Sequence, residues 1–152
     1  IKETVFNWLM PYIKGAKCLD CFAGSGSLGF EAMSRGAQQV TLLELNKLAV
    51  NQLRANKQLL KAESVHINQV NTLAYLKENV EAYNLIFLDP PFRKQLAEQC
   101  AVLLNSGWLA EEALIYVEME ADNNSQQLPH NWHLLKEKIA GQVIYQLYQY
   151  QK

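Results

Sequence analysis

The chain lacks several features that would assign it to a broad class of protein. Its 152 residues include only three cysteines, an odd and small number that argues against a secreted fold held together by disulfides. No apolar run reaches the roughly 20 residues that a membrane-spanning helix needs. The first residues also show no charged segment followed by an apolar core, as a signal peptide would. We therefore expect a cytoplasmic protein that does not bind membranes.

Neither sign of charge dominates the sequence. The 14 lysines and arginines nearly balance the 15 aspartates and glutamates, for a net charge of −1. No global basic field attracts nucleic acid, so any such contact must use a local patch. With 49% hydrophobic and 19% charged residues, the composition is that of a folded domain.

The length predicts one domain over residues 1–152. The chain enters helical pattern at once from Ile1, without a methionine, and we expect that an N-terminal segment is missing. We also expect a monomer.

Apolar runs of strand length alternate with amphipathic stretches along most of the chain. Helices are predicted after caps at Thr4 and Asn46, from the glycine-rich loop to about Arg35, around Leu73 to Val80, and from Gln95 to Leu104. Buried strands are predicted at Ala16 to Phe22, Val40 to Glu44, Val65 to Val70, Tyr83 to Leu88 and Leu114 to Met119. This alternation is typical of a parallel sheet with right-handed crossovers.

The last part of the chain has a different pattern. After a polar stretch from Asp122 to Pro129, polarity alternates from Trp132 to Lys138 and from Gln142 to Tyr150, around Ala140-Gly141. Such alternation predicts an antiparallel hairpin. The complete prediction is an α/β fold of three layers, Rossmann-like and doubly wound, with a mixed sheet of about seven strands.

A glycine-rich loop follows the first predicted strand. Gly24, Gly26 and Gly29 match the pattern G-x-G-x-x-G between a strand and a helix. Glu44 ends the next strand about twenty residues later, where an acidic side chain accepts hydrogen bonds from ribose hydroxyls. The pattern fits NAD, FAD or S-adenosylmethionine. Asp20 favours the last, because its carboxylate repels a pyrophosphate but attracts the ammonium and sulfonium groups of S-adenosylmethionine.

The most informative residues are Asp89-Pro90-Pro91-Phe92, which follow the strand that ends at Leu88. The two prolines stop both helix and sheet, so the chain leaves the sheet in a stiff turn. There Asp89 and the Pro90 carbonyl can accept hydrogen bonds from the two N–H groups of an exocyclic amine and release its lone pair for attack on a methyl group. Phe92 can stack on the base, which must be flipped out of a helix or lie in a loop.

These residues give the chain a clear resemblance. Three stretches, residues 19–32, 34–37 and 86–92, resemble class I S-adenosylmethionine-dependent methyltransferases and, more narrowly, the bacterial ribosomal small subunit methyltransferase D family. The stretch Lys2 to Leu9 adds to the likeness, which covers nearly the whole chain. The resemblance implies methylation of N2 of one guanine in 16S rRNA, a seven-stranded fold with a reversed last strand, and a basic N-terminal segment that helps to bind RNA.

The resemblance also implies a set of site residues. Asp20 and the loop would line the methionine part of the cofactor, Glu44 would bind the ribose, and Leu45 and Asn71 would contact the adenine. The complete cofactor set is Asp20, Phe22, Ala23, Gly24, Ser25, Gly26, Glu44, Leu45 and Asn71. Besides the catalytic Asp89, Pro90 and Phe92, we assign Pro91, Arg93 and Lys94 to the substrate, the last two as phosphate contacts.

Other functions remain open at this point. The Asp-Pro-Pro-Phe motif also occurs in DNA methyltransferases that act on adenine N6 or cytosine N4. A nicotinamide oxidoreductase would use the glycine loop and Glu44, but Asp20 opposes it. A non-catalytic RNA-binding module is a third alternative. Cys18 and Cys21 form a C-x-x-C, but no second pair follows, so no metal site is predicted. The expected partner is 16S rRNA, free or in the assembled small subunit.

Overall fold

One seven-stranded sheet lies between two layers of helices in the computed structural model, which describes residues 2–78, 80–91, 94–121 and 127–152. The elements in chain order are α1 (Lys2–Ile13), β1 (Lys17–Asp20), α2 (Ser27–Ser34), β2 (Gln39–Glu44), α3 (Lys47–Leu60), β3 (Val65–Gln69), α4 (Thr72–Leu76), β4 (Tyr83–Leu88), α5 (Lys94–Leu104), β5 (Leu109–Glu120), β6 (Trp132–Ala140) and β7 (Val143–Tyr150). None of the described helices is long and apolar enough to cross a membrane.

The strand order is β3-β2-β1-β4-β5-β7-β6. The pairs from β3 to β5 are parallel, whereas β7 runs antiparallel to both of its neighbours. The predicted mixed sheet, the C-terminal hairpin and the reversed last strand are therefore confirmed. Since β1 pairs with β2 on one side and β4 on the other, the chain changes direction at β1, and a crevice forms beyond the carboxyl ends of these strands.

Each face of the sheet has its own hydrophobic core. Helices α1, α2 and α3 cover one face, where Phe6 and Leu9 are fully buried. Helices α4 and α5 cover the other, where the fully buried Trp108 donates a hydrogen bond from Nε1 to the Leu76 carbonyl at 3.0 Å. This covering on both faces explains why the strands are continuous apolar runs in the sequence.

Several predicted boundaries were wrong. Thr4 lies inside α1 and does not cap it, because apolar positions from Val5 onward bury the helix from its first turn. Helix α4 ends at Leu76, and Val80 is 53% exposed beyond it. Strand β5 begins at Leu109, earlier than predicted, because a register shift and a positive φ at Glu112 interrupt the apolar pattern. Residues 122–126 of the predicted loop lie outside the described residues.

Candidate active site

A cavity of about 890 Å³ opens at the carboxyl edge of the sheet. Its wall is built from the turns that follow β1, β2, β3 and β4, together with side chains from β5 and β7. Most residues predicted for a site line this single cavity: Phe22, Ala23, Gly24, Ser25, Glu44, Leu45, Asn71, Asp89, Pro90 and Pro91. The fold thus brings together the glycine loop and the Asp-Pro-Pro turn, which are far apart in the sequence.

The glycine loop is tied to the sheet edge by its own backbone. Ala23 N–H donates to the Leu43 carbonyl at 2.9 Å, so the loop extends from β1 over the end of β2. Gly24 and Gly26 have φ values of 55° and 81°, in the left-handed region that favours glycine. These two positions explain why the loop needs glycine where the G-x-G pattern has it.

Gly26 and Gly29 do not line the cavity. Their role is to allow close packing behind it. A Cβ added to Gly26 would overlap Leu53 and Phe30, and one added to Gly29 would overlap Leu42. Close approach of α2 to β2 therefore requires the last glycine of the pattern. Gly26 supports the predicted cofactor loop from beneath.

Glu44 fastens the loop to the neighbouring turn. Its Oε1 accepts a hydrogen bond from Gly24 N–H and its Oε2 one from Asn46 N–H, each at 2.9 Å. Asn46 in turn caps α3 by accepting from Ala49 N–H, as predicted. Each carboxylate oxygen has two lone pairs, so Glu44 can accept further hydrogen bonds, such as those from a ribose, in its fixed position.

Asp20 lies at the end of β1 beneath the loop and is 1% exposed. Burial raises the pKa of its carboxyl group to about 7, and the nearby carboxyl groups of Asp89 and Glu44 add to this effect. The Phe22 N–H donates to Oδ1 at 3.3 Å and lowers the pKa in part. A bound cation stabilises the ionised form of a carboxyl group that is buried beside other acidic groups, whereas an anion does not.

The Asp-Pro-Pro turn follows β4 directly. Pro90 is buried and Pro91 exposed, and Asp89 is half-buried at the cavity. Burial raises the pKa of the Asp89 carboxyl group to about 7, and the charge of Glu118 adds to the increase. Strongly perturbed carboxyl groups in a cleft are typical of functional sites.

Three of the predicted substrate and stacking residues follow the turn. Phe92 and Arg93 lie outside the described residues, and Lys94 is the first residue of α5. The stacking and phosphate-binding roles assigned to them stay predictions.

Asn71 has a structural task in addition to its place in the cavity wall. Its Oδ1 accepts a hydrogen bond from Ala74 N–H at 3.0 Å and caps α4. One lone pair of this oxygen is thus engaged, and a second can still accept. The adenine contact assigned to Asn71 stays a prediction.

Six polar or charged residues of the cavity wall were not predicted as site residues, and they are Lys2, Ser27, Thr72, Tyr116, Glu118 and Tyr145. The last three lie together on β5 and β7. Tyr145 is 8% exposed and lies at the cavity. Tyr116 and Glu118 lie near the end of β5, which is parallel to β4. Since parallel strands meet a site with their carboxyl ends, the last polar residues of β5 were a usable signal.

The cysteines lie apart from the cavity. Cys18 belongs to the core on one face of the sheet and Cys21 to the core on the other, and both are fully buried. Across the described ranges, no group of histidine, cysteine and acidic side chains is arranged to hold a metal ion.

Comparison with known sequences gives strong matches over nearly the whole chain. A family model described as "Conserved hypothetical protein 95" matches residues 1–149. A protein of Escherichia coli strain K12 named ribosomal RNA small subunit methyltransferase D is 49% identical over 150 residues, covering 98% of this chain and 76% of the relative. The protein of the same name from Haemophilus influenzae is 54% identical over 154 residues, covering 98% and 79%.

Solved structures give the same result for the fold. An Escherichia coli structure described as a candidate methyltransferase, yhhF, has a TM-score of 0.96 and 48% identity, covering 99% of this chain and 85% of that one. A magnesium protoporphyrin IX methyltransferase from Synechocystis with bound S-adenosylmethionine has a TM-score of 0.78 at 14% identity, covering 98% and 77%. The second likeness concerns the fold alone.

Proposed function

This chain belongs to the ribosomal RNA small subunit methyltransferase D family, and on that premise we propose that it transfers a methyl group from S-adenosylmethionine to the exocyclic N2 amine of a guanine in 16S rRNA. The family membership supports a methyltransferase that acts on ribosomal RNA. The choice of guanine N2 is the finer part of the proposal. The proposed partner is 16S rRNA, free or in the small subunit, and the proposed location is the cytoplasm.

The described residues fit S-adenosylmethionine as the methyl donor. Asp20 and Glu44 place acidic groups below and beside the glycine loop, which suits a ligand with an ammonium and a sulfonium and no phosphate. The loop backbone, the Glu44 carboxylate and Leu45 would hold the methionine, ribose and adenine parts in that order. Leu45 is 62% exposed, so a bound adenine would cover an apolar side chain that water now contacts.

The single observation that carries the proposal is the position of the Asp-Pro-Pro turn in the same cavity as this loop. Asp89 and the carbonyl of Pro90 supply two acceptors on adjacent residues. Two acceptors directed at the N–H groups of one amine orient it and favour a pyramidal nitrogen, whose lone pair is then free to attack. The glycine loop would therefore hold the methyl donor, and the Asp-Pro-Pro turn would hold the amine that receives the methyl group.

The proposed reaction is a nucleophilic displacement at the methyl carbon. When bound, S-adenosylmethionine would supply a methyl group on a sulfonium, and the sulfur would leave as a thioether with the electron pair of the broken bond as N2 bonds to the methyl carbon. The amine then carries an extra proton, which passes to the Asp89 carboxylate or to water. Asp89 needs no strong basicity for this step, because the alkylated amine is acidic. Its role is to position the amine and stabilise the charge that develops on it.

The proposal is tested by identifying the product. Labelled S-adenosylmethionine is incubated with the protein and unmethylated small ribosomal subunits, and the RNA is digested to nucleosides. Label in N2-methylguanosine is the expected result. Label that appears only in N6-methyladenine on a DNA substrate would keep the chemistry and overturn the substrate, and the absence of transfer to either would overturn the proposal.

A further inference from the structure

Three polar side chains line the cavity beside Asp89 without a role in the transfer described above. They are Tyr116 and Glu118 on β5 and Tyr145 on β7. Residues two apart on a strand point to the same face, so Tyr116 and Glu118 share one face of the sheet. Tyr145 lies directly opposite Glu118 in the antiparallel register. The three residues thus form one polar patch of the wall.

This patch lies level with the Asp-Pro-Pro turn. Strands β4 and β5 are parallel, and Leu88 is paired with Val117. Asp89 follows Leu88 directly and Glu118 follows Val117, so the two carboxyl groups lie at the same level along the two strands. Burial is the main reason why the pKa of the Asp89 carboxyl group is raised, and the nearby charge of Glu118 adds to the increase.

Glu118 is held in place by its neighbour. The Tyr116 hydroxyl donates a hydrogen bond to Glu118 Oε2 at 2.9 Å, and Tyr116 itself is 1% exposed and packed against Phe87. A buried ring fixes the hydroxyl and therefore the carboxylate. An ionised carboxylate has about four acceptor sites and no donor, so Glu118 can accept a hydrogen bond from a ligand in addition to the one from Tyr116.

An acceptor beside the amine-binding turn distinguishes the bases that carry an exocyclic amine. In guanine two ring nitrogens flank the amine, and the one on the Watson–Crick edge, N1, carries a hydrogen and is a donor. In adenine and cytosine the corresponding ring nitrogens, N1 and N3, have a lone pair and are acceptors. A carboxylate there attracts the first and repels the others, and flipped bases are read in this way along the Watson–Crick edge.

We propose that Glu118, positioned by Tyr116, determines the specificity of the site for guanine by accepting a hydrogen bond from N1–H, while Asp89 and the Pro90 carbonyl accept from the N2 amine. This inference rests on the proposed function and names the residue that selects its substrate. It adds a contact to the base that neither the glycine loop nor the Asp-Pro-Pro turn provides.

The test replaces the donor on the base and the acceptor on the protein together. The probe is a small subunit reconstituted with 16S rRNA that carries 2-aminopurine at the nucleotide that the wild-type protein methylates. This base keeps the 2-amine but has a lone pair at N1. In Glu118→Gln the side-chain amide can donate to that lone pair. The measured quantity is the ratio of kcat/KM for guanine to that for 2-aminopurine, in competition.

The wild-type protein should prefer guanine, and Glu118→Gln should reduce this preference about 10- to 100-fold. Because the ratio does not depend on the fraction of active protein, partial unfolding of the variant would not mimic the effect. Tyr116→Phe, which removes the hydrogen bond that holds Glu118, should change the ratio in the same direction by a smaller factor. Glu120→Gln is the matched control, on the same strand but exposed and outside the cavity, and should leave the ratio unchanged.

The outcomes separate this inference from the function on which it rests. If the wild-type protein methylates guanine but Glu118→Gln keeps the full preference, the role of Glu118 is overturned and the methyltransferase remains. If the wild-type protein methylates no guanine in small subunits, both are overturned. A reduced preference with an unchanged dissociation constant for S-adenosylhomocysteine supports a contact to the base.

Discussion

Asp20 and Asp89 end neighbouring strands of the sheet, and in each the carboxyl group has a pKa raised to about 7, mainly by burial. They differ in what surrounds them. Asp20 is closed off beneath the glycine loop, whereas Asp89 faces the cavity beside Glu118. We interpret the first as a site for the positive charge of the methyl donor and the second as the acceptor for the amine.

The buried Asp20 should destabilise the protein at neutral and higher pH. Its pKa of about 7 in the folded protein exceeds the ordinary value of 3.8, so the unfolded chain loses the proton first and stability falls as the pH rises from about 4 to 7. Asp20→Asn keeps an oxygen for Phe22 N–H but carries no charge. We expect it to raise the free energy of unfolding by about 1–3 kcal/mol at pH 8, a gain that shrinks toward pH 4.

Denaturant titration at several pH values measures this difference, with the exposed Glu63→Gln as control. The same Asp20→Asn variant should bind S-adenosylmethionine more weakly than the wild type, because the cation loses its buried counter-charge. A stability difference that stays constant from pH 4 to pH 8 would show that the ionisation of Asp20 is not its source.

Glu44 has a double role, since its two oxygens hold the loop and the next turn through Gly24 and Asn46. Glu44→Ala removes both hydrogen bonds and the acceptors for the ribose. We expect cofactor affinity to fall about 10- to 100-fold, which corresponds to roughly 1.4–3 kcal/mol, with only a small change in stability. Calorimetric titration with S-adenosylhomocysteine measures it, and an unchanged dissociation constant would remove Glu44 from the site.

At the scale of elements, the site depends on how closely α2 packs on β2. Gly29 has helical backbone, so alanine there would favour the helix by up to about 1 kcal/mol. Its Cβ, however, would overlap Leu42 and lie 3.1 Å from Val40 Cγ1. The steric overlap should prevail, and we expect Gly29→Ala to lower the free energy of unfolding by about 1–3 kcal/mol.

The exposed Ser34→Ala in the same helix is the control for Gly29→Ala and should change stability by less than about 0.5 kcal/mol. Thermal and denaturant unfolding of both variants measures the difference. Equal stability of Gly29→Ala and the wild type would mean that α2 can move away from β2 without cost.

Comparison of predicted and observed elements shows which sequence patterns were sufficient to place a turn or an element boundary. The G-x-G-x-x-G loop and the Asp-Pro-Pro turn were predicted correctly as turns after buried strands, because glycine and proline constrain the backbone locally. The early start of β5 was not, since the irregular pairing near Glu112 depends on β4 and not on local preference. Likewise, Thr4 has the chemistry of a cap, but α1 already includes Lys2 and Glu3 before it.

At the scale of the whole molecule, the strand order decides what the site contains. Residues after β1 and β4 meet because the two strands are neighbours, and the sequence predicted both groups. Tyr145 joins Tyr116 and Glu118 only because β7 inserts beside β5, a placement that depends on long-range topology and not on a local pattern. Most residues predicted for the cofactor therefore line the cavity, whereas the polar residues that β5 and β7 add to it were not predicted.

The account depends most on Asp89 as the acceptor that positions the amine. The direct measurement is the single-turnover rate of methyl transfer to unmethylated small subunits by Asp89→Ala, which removes the acceptor, at saturating S-adenosylmethionine, together with its dissociation constant for S-adenosylhomocysteine. We predict a rate about 10²- to 10³-fold below the wild type, the loss found when one such preorganised hydrogen bond is removed, with cofactor affinity changed less than about twofold. A wild-type rate in Asp89→Ala would contradict the account.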